Sequence, residues 1–372
     1  MQDHLDRIEQ IAREVAAEEA ARVDAEAAFP ERTLRALRES GLLGLISAPE
    51  VGGRGAGPSA VAAVLERLAR ECASSAMVAC MHYSGTAVIE RHGPLSTRHE
   101  IAAGRHLTTL AFSEAGSRSQ FWAPVGTATH RAGKVVLDAS KSWVTSAHAA
   151  DSYVWSSKPV AAEGQSTLWL VPRSASGLTT GRRYDGLGLR GNDSVPVVAK
   201  GVAVEESARL GADGSGFGTM FETVLPTFCV GAAAVQVGLM ESATAQSIEH
   251  ASRTRFENDG TSLADLPTLR AYLARMRIAT DQARLLLEDT AQALECGRSD
   301  AVLRVLECKA AAGESATLVL DLAMRVCGGA AFRREVGVER RFRDARAGTV
   351  MAPTTDQLYD FIGKAVCALP LF

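Results

Sequence analysis

The hydrophobic period of this chain switches twice along its length, and that double switch limits the architectures it can adopt. From Gln2 to about Glu100 the apolar residues recur at three and four, first as Leu5, Ile8, Ala12, Val15 and Ala16, then as Val61, Val64, Leu65, Leu68, Ala69 and Cys72. That spacing lines one face of a helix. The stretch Pro49 to Pro58, with Gly52, Gly53, Gly55 and Gly57, reads as a turn inside this helical zone. Between about Leu107 and Arg209 the period shortens to two. Val135, Leu137 and Ala139 alternate within Lys134 to Val144, and Val154 to Ser157, Thr167 to Val171 and Val195 to Val202 are short β-rich runs bounded by turn residues. After Gly211 to Gly218 the helical period returns. There Gly231, Ala234 and Gly238 make a face of small residues open to a close neighbour, and Leu285, Leu286, Leu287, Ala291 and Leu294 indicate a long buried helix. The predicted fold is α+β and multidomain: an N-terminal α-helical bundle over 1–106, a middle antiparallel β-barrel over 107–212, and a C-terminal helical bundle over 213–372.

Composition removes several function classes. A length of 372 residues suits two or three domains, and 47% apolar with 22% charged residues is the balance of a folded globular chain. A formal net charge of −3 offers no basic footprint for a nucleic acid. No run of 18 apolar residues occurs and the opening MQDHLDRIEQ is polar, so the expectation is a cytoplasmic chain that binds no membrane. The seven cysteines, Cys72, Cys80, Cys229, Cys296, Cys308, Cys327 and Cys367, include no CxxC pair. They are read as small core residues, with no metal site.

Six segments carry possible chemistry. Lys141-Ser142-Trp143-Val144-Thr145-Ser146 ends a predicted strand, and alternation puts Trp143 and Thr145 on one side, a plane and a hydroxyl suited to a flat heteroaromatic ring. Phe112-Ser113-Glu114-Ala115-Gly116-Ser117 runs a strand into a turn able to present hydroxyls and N–H groups. Gly186 to Ser194 is a tight turn before another strand. Arg253-Thr254-Arg255-Phe256 closes a long helix, where Arg253 or Arg255 could hold a pyrophosphate or simply offset the helix dipole. Gly328-Gly329 follow Cys327 at a helix end, and Arg343-Asp344-Ala345 precede Met351-Ala352-Pro353-Thr354-Thr355-Asp356, with Thr354 or Thr355 placed to cap the last helix.

In this order and spacing the segments resemble the acyl-CoA dehydrogenase family over nearly the whole chain. The family pattern is a TEP-and-GSD turn, a KxWIT(N/S) strand, a GxRxSDT turn, an RxQFG helix end, a GGxGY segment, and RDA followed by YEGT. The resemblance implies a helical domain, a β domain and a C-terminal four-helix bundle, with FAD where the three meet and across a subunit contact. It also implies that Trp143 and Thr145, with Ser146, lie against the isoalloxazine, and that Phe112 with Ser113 or Ser117 lies at its pyrimidine edge. Arg253, Phe256, Arg325, Gly328 and Gly329 would reach a neighbouring subunit's cofactor, and Thr354 and Asp356 would stand at the helix beside the flavin. A homodimer or homotetramer follows from such sharing.

The departures from the pattern bear on the reaction. The family's carboxylate base, the Glu of YEGT, aligns with Ala352, and alanine takes no proton. The second seat known in the family, on the first long helix of the C-terminal domain, falls at Phe228. Candidate replacements are Asp356, one helical turn after Ala352, then His82, and Glu222 at the opening of the helix that carries the second seat. Arg325 stands where a Gln commonly touches the neighbour's cofactor, and Glu257 replaces the glycine of RxQFG. The resulting expectation is an FAD-dependent oxidoreductase acting on an acyl thioester of CoA or a carrier protein, passing electrons to a flavoprotein acceptor. The alternatives are a flavin-dependent monooxygenase of the same fold served by a reductase, and a non-catalytic subunit of a hetero-oligomer.

Overall fold

The computed structural model describes residues 2–372 and follows the predicted order of helices, sheet and helices. In the first zone Pro58 occupies the first turn of the helix Pro58–Glu71, where its missing N–H is no loss. That helix buries Val61, Val64, Leu65 and Leu68, the residues spaced at three and four. The next helix, Ala73–His92, is buried on nearly every side, so it shows little amphipathic signature in the sequence.

Eight strands form the middle zone: β1 (Thr108–Ala111), β2 (Thr127–Arg131), β3 (Lys134–Val144), β4 (Ser152–Ser157), β5 (Thr167–Pro172), β6 (Leu178–Thr180), β7 (Val195–Val204) and β8 (Arg209–Leu210). They make two four-stranded sheets, ordered β1-β4-β5-β8 and β2-β3-β7-β6. The β2–β3 hairpin turns on Ala132 and Gly133, both at positive φ, as a two-residue hairpin loop requires. Trp155, Trp169 and Tyr153 from one sheet pack with Val135, Leu137 and Val197 from the other to fill the space between them. In one detail the sheets depart from the expected antiparallel barrel: β1 pairs with β4 in parallel. The long excursion from Phe112 through β2 and β3 carries the chain back to the same end of the sheet, which a parallel neighbour needs.

The C-terminal helices Leu225–Arg253, Pro267–Glu295, Ala301–Cys327 and Thr355–Val366 form the second bundle. The first of them packs closely on the N-terminal zone through its small residues. A Cβ on Gly231 would lie 2.6 Å from the Cys80 sulfur, and one on Gly238 would lie 2.3 Å from the Glu66 carbonyl oxygen. A π-helical turn, Met220–Val224, precedes this helix, where Pro226 leaves the ladder one donor short. Together Gly216–Arg253 is long and apolar enough to cross a membrane by composition, yet most of its apolar stretch is covered by neighbouring helices. Five cysteines are buried as expected; Cys296 and Cys367 are exposed and correct that expectation.

Candidate active site

Four of the six segments singled out above contribute to one cleft of about 1040 Å³ between the β sheets and the two helical zones. Its most constrained part is the end of β3. Lys141 is fully buried, and its Nζ donates to Glu114 Oε1 at 2.5 Å, the Ser156 carbonyl at 2.7 Å and Ser156 Oγ at 2.9 Å. Burial pushes the Lys141 ammonium down to about 8, against the opposing pull of Glu114. Glu114 uses its other oxygen to accept the N–H groups of Val125 at 2.7 Å and Gly126 at 3.0 Å. The Ser113 carbonyl accepts the Ser142 N–H at 2.8 Å, which locks the Phe112–Glu114 turn onto β3. A register shift follows between Lys141 and Val144, and Trp143 within it and Thr145 just after it both line the cleft.

Trp143 is 59% exposed, and its ring lies 4.2 Å from that of Tyr184, tilted by 36°. Thr145 Oγ1 and Ser194 Oγ stand 3.0 Å apart. Ser146 is buried at φ 57°, its N–H donating to the Asn192 carbonyl, while its Oγ has no partner among the described residues. The Gly186–Ser194 turn is braced from two sides. Asp193 accepts from the His148 N–H, His148 Nδ1 and Arg183 Nε, and Asp344 Oδ1 accepts the Leu189 N–H at 2.6 Å. Gly188 is required there because a Cβ would lie 2.4 Å from the Arg343 carbonyl oxygen.

Burial pushes the Asp344 carboxyl up to about 6. An acid whose folded value is raised loses its proton earlier in the unfolded chain, so this group costs stability as pH rises from about 4 to about 6. The full penalty, on the order of 3 kcal/mol, stands above that window. Asp344→Asn keeps an acceptor for Leu189. Its unfolding free energy relative to the parent should therefore increase from pH 4 to pH 7, measured by urea titration at each pH; a constant difference would contradict the assignment.

On the opposite wall lie Met351, Ala352, Pro353 and Thr354. Thr354 caps the twelve-residue helix Thr355–Val366, its side chain accepting the Gln357 N–H at 3.3 Å. The loop before it is pinned by Lys309, a buried cation whose Nζ donates to the carbonyls of Gly348 at 3.3 Å, Met351 at 3.1 Å and Pro353 at 2.8 Å. Burial pushes the Lys309 ammonium down. Phe228, Val224 and Leu225 complete the apolar side of the cleft. Two carboxylates lie in the wall, Glu114 and Asp193, and both are buried and engaged as described.

The candidate bases do not reach this cleft. His82 is fully buried on Ala73–His92, its Nε2 meeting the Leu43 carbonyl at 3.1 Å and its Nδ1 accepting the Thr108 N–H at 3.2 Å. Burial pushes it down to about 4, so it is a neutral core histidine. Asp356 is exposed and outside the cleft wall, because the capped helix turns it to solvent. Glu222 is exposed and paired with Arg91 at 2.9 Å. Ser117 is also outside the wall, buried with its Oγ toward the Glu114 carbonyl, whereas Phe112 and Ser113 are in it.

The remaining segments lie elsewhere. Arg253 pairs with Glu249 at 2.6 Å, and Phe256 is partly exposed on the following turn. Arg325 and Gly328 line a separate groove of about 620 Å³ that shares no wall residue with the cleft, and the exposed Gly329 adjoins it in sequence. The Arg325 guanidinium lies 4.4 Å from the Tyr272 ring. Sequence reasoning missed the Lys141–Glu114 pair, the Lys309 pin and Tyr184. The first had a signal, since two opposite charges inside adjoining motif segments invite pairing; the others had none.

Comparison with known proteins decides the family. The acyl-CoA dehydrogenase N-terminal, middle and C-terminal domain models match residues 2–102, 109–216 and 214–367. The chain belongs to the acyl-CoA dehydrogenase family. It is 29% identical over 371 residues to cyclohex-1-ene-1-carbonyl-CoA dehydrogenase of Geobacter metallireducens, covering 97% of this chain and 96% of that protein. It is 29% identical over 347 residues to the human mitochondrial short-chain specific acyl-CoA dehydrogenase, covering 91% of this chain and 82% of that one. In fold it matches butyryl-CoA dehydrogenase from Megasphaera elsdenii with a TM-score of 0.92 at 22% identity, over 98% of this chain and 97% of the other. Acyl-CoA dehydrogenases are FAD-dependent oxidoreductases, so FAD is the group against which the cleft residues are to be tested. The residues present fit it: an exposed indole face, a Thr145–Ser194 hydroxyl pair and a capped helix N-terminus line one cleft, whereas Ser146, expected against the ring, is buried outside the wall because its positive φ turns it away from Thr145.

Proposed function

We propose that this acyl-CoA dehydrogenase family member oxidises an acyl thioester whose α-hydrogen leaves without a side-chain carboxylate, because Ala352 occupies the base position. The observation that carries the reading is the state of the cleft wall: Glu114 and Asp193 are its only carboxylates among the described residues, and each is itself buried and engaged, Glu114 with buried Lys141 and Asp193 with His148 and Arg183. The substrate then has to supply the acidity itself, through an alkenyl, aryl or carbonyl group on its α-carbon, with water that reaches the cleft accepting the α-proton as the hydride leaves the β-carbon.

Trp143 and Tyr184 would hold the flavin ring, Thr145 with Ser194 its polar edge, and Thr354 with the helix it caps a region of partial positive charge beside it. FAD bound there supplies the hydride acceptor for the carbon β to the thioester. Phe228, Met351, Ala352 and Pro353 would give the acyl side an apolar lining, and Lys309 keeps that loop in place. The groove at Arg325 and Gly328 is read as the place where a second copy's cofactor is met, which makes the working form a homodimer or homotetramer. A second reading, hydroxylation with a partner reductase, is favoured by the same missing carboxylate.

One experiment separates the readings. The purified protein should be yellow, and adding an alkenyl or aryl acyl-CoA without oxygen should bleach it. Absence of bleaching, together with product that forms only when oxygen and an external flavin reductase are supplied, would establish the second reading instead.

A further inference from the structure

Six aromatic rings gather behind one wall of the cleft, and one of them belongs to the segment that follows the last helix. Phe121 is part of the wall. Its ring stacks on Phe221 at 5.8 Å and meets Trp122 edge-on at 5.2 Å. Behind these stands Phe372, whose ring lies 4.7 Å from Phe221, 5.0 Å from Phe217, 5.3 Å from Trp122 and 5.3 Å from Phe361. Phe372 itself is not in the wall. Its segment is tied back to the last helix, with the Leu369 N–H donating to the Lys364 carbonyl at 2.8 Å and Lys364 Nζ donating to the Leu371 carbonyl at 3.3 Å.

The cluster also reaches a second wall. Phe221 lies in the π-helical turn Met220–Val224, and the same run of chain continues into Val224, Leu225 and Phe228, which line the cleft around Ala352. A π turn is a rare local bulge in a helix, found mostly at functional sites. Edge-to-face ring contacts hold their partners in one geometry, and removing a ring leaves neighbours free to move into the space. Phe372 is 53% exposed, so the fold depends on it less than on the buried rings it touches.

We propose that Phe372 is a positioning residue for the acyl side of the cleft: acting through Phe221 and Trp122, it holds Phe121 against the cavity and thereby sets how long an acyl group the cleft admits. The segment 369–372 is the strap that carries it. This inference rests on the acyl-thioester reading, and it assigns the size limit of the pocket to a residue that touches neither substrate nor cofactor.

The test is calorimetric titration of the FAD-loaded protein with butyryl-, octanoyl- and lauroyl-CoA, comparing the parent with Phe372→Ala, Phe372→Leu and Phe372→Tyr. Phe372→Ala should shift the ratio of affinities toward lauroyl-CoA by roughly tenfold or more, the worth of about two further methylenes buried. Phe372→Leu should shift it less, in the same direction, and carries the test if the alanine variant fails to fold. Phe372→Tyr keeps the ring and should keep the parent's profile. A lower melting temperature with an unchanged length profile would mean that the ring only stabilises the fold, and would overturn the proposal. A parent protein that binds neither these three thioesters nor an alkenyl or aryl acyl-CoA would overturn the thioester reading and this inference with it, whereas a parent that binds an alkenyl or aryl acyl-CoA but none of the three, or binds the three with a profile no variant alters, overturns this inference alone.

Discussion

Replacing Ala352 by Glu should raise the rate at which butyryl-CoA bleaches the flavin under anaerobic conditions by roughly 10²–10⁴-fold, the usual contribution of a positioned general base. The backbone that would carry the new carboxylate is already fixed. Lys309 holds the carbonyls of Met351 and Pro353 on either side of residue 352, and Phe228 and Met351 provide an apolar surround that raises carboxylate basicity. Ala352→Gln has the same size and no basicity, so it should leave the rate at the parent's level. Stopped-flow absorbance with saturating thioester reads both variants. Equal rates for the Glu and Gln variants would mean that residue 352 is not the seat of the base, and the alignment of the Arg343 to Thr354 segment would fail with it.

The second large effect is expected at Lys141. Removing one partner of a buried ion pair leaves the other charge uncompensated, which costs about 3–5 kcal/mol. Lys141→Met should therefore lose roughly that much unfolding free energy in a urea titration. It should also release flavin, because the Phe112–Glu114 turn and the end of β3 that presents Trp143 are held to one another by this ammonium. The double variant Lys141→Met with Glu114→Gln leaves no charge behind and should recover most of the lost stability, since Gln still offers an oxygen to the N–H groups of Val125 and Gly126. If the single variant costs less than about 1 kcal/mol, the pair behaves like an exposed one and the buried-pair description is wrong.

The sequence predicted the three zones because each has its own period. Val61, Val64, Leu65 and Leu68 mark a helix buried on one face, and Val135 with Leu137 marks a strand buried on one face; both signals survive in single residues. Two elements were not legible for the opposite reason. Strand β2 exposes every residue but Ala128, so it shows no apolar alternation, and it is a strand only because β3 offers it an edge. The parallel pairing of β1 with β4 depends on where a long excursion returns, which no local pattern records.

At the cleft, residues of three motif segments were legible together: Phe112 with Ser113, Trp143 with Thr145, and Thr354 all line it. The candidate bases were not. His82 has the chemistry of a base, but its partners, Leu43 and Thr108, come from distant parts of the chain, and only the fold shows that they occupy both ring nitrogens. Asp356 follows Ala352 by one turn's worth of sequence, yet the helix begins only at Thr355, so the two do not share a helical face. The aromatic cluster behind Phe121 was invisible for the same reason, since its rings come from four separated segments.

The most direct measurement is a crystal structure of the protein with FAD and a non-reactive acyl-CoA analogue bound. The tricyclic ring should lie against the Trp143 indole, and the α-carbon of the acyl group should face the Ala352 methyl with no carboxylate oxygen within hydrogen-bond reach. A flavin seated away from Trp143, or an Asp or Glu of this chain or of a second copy directed at that α-carbon, would contradict the account.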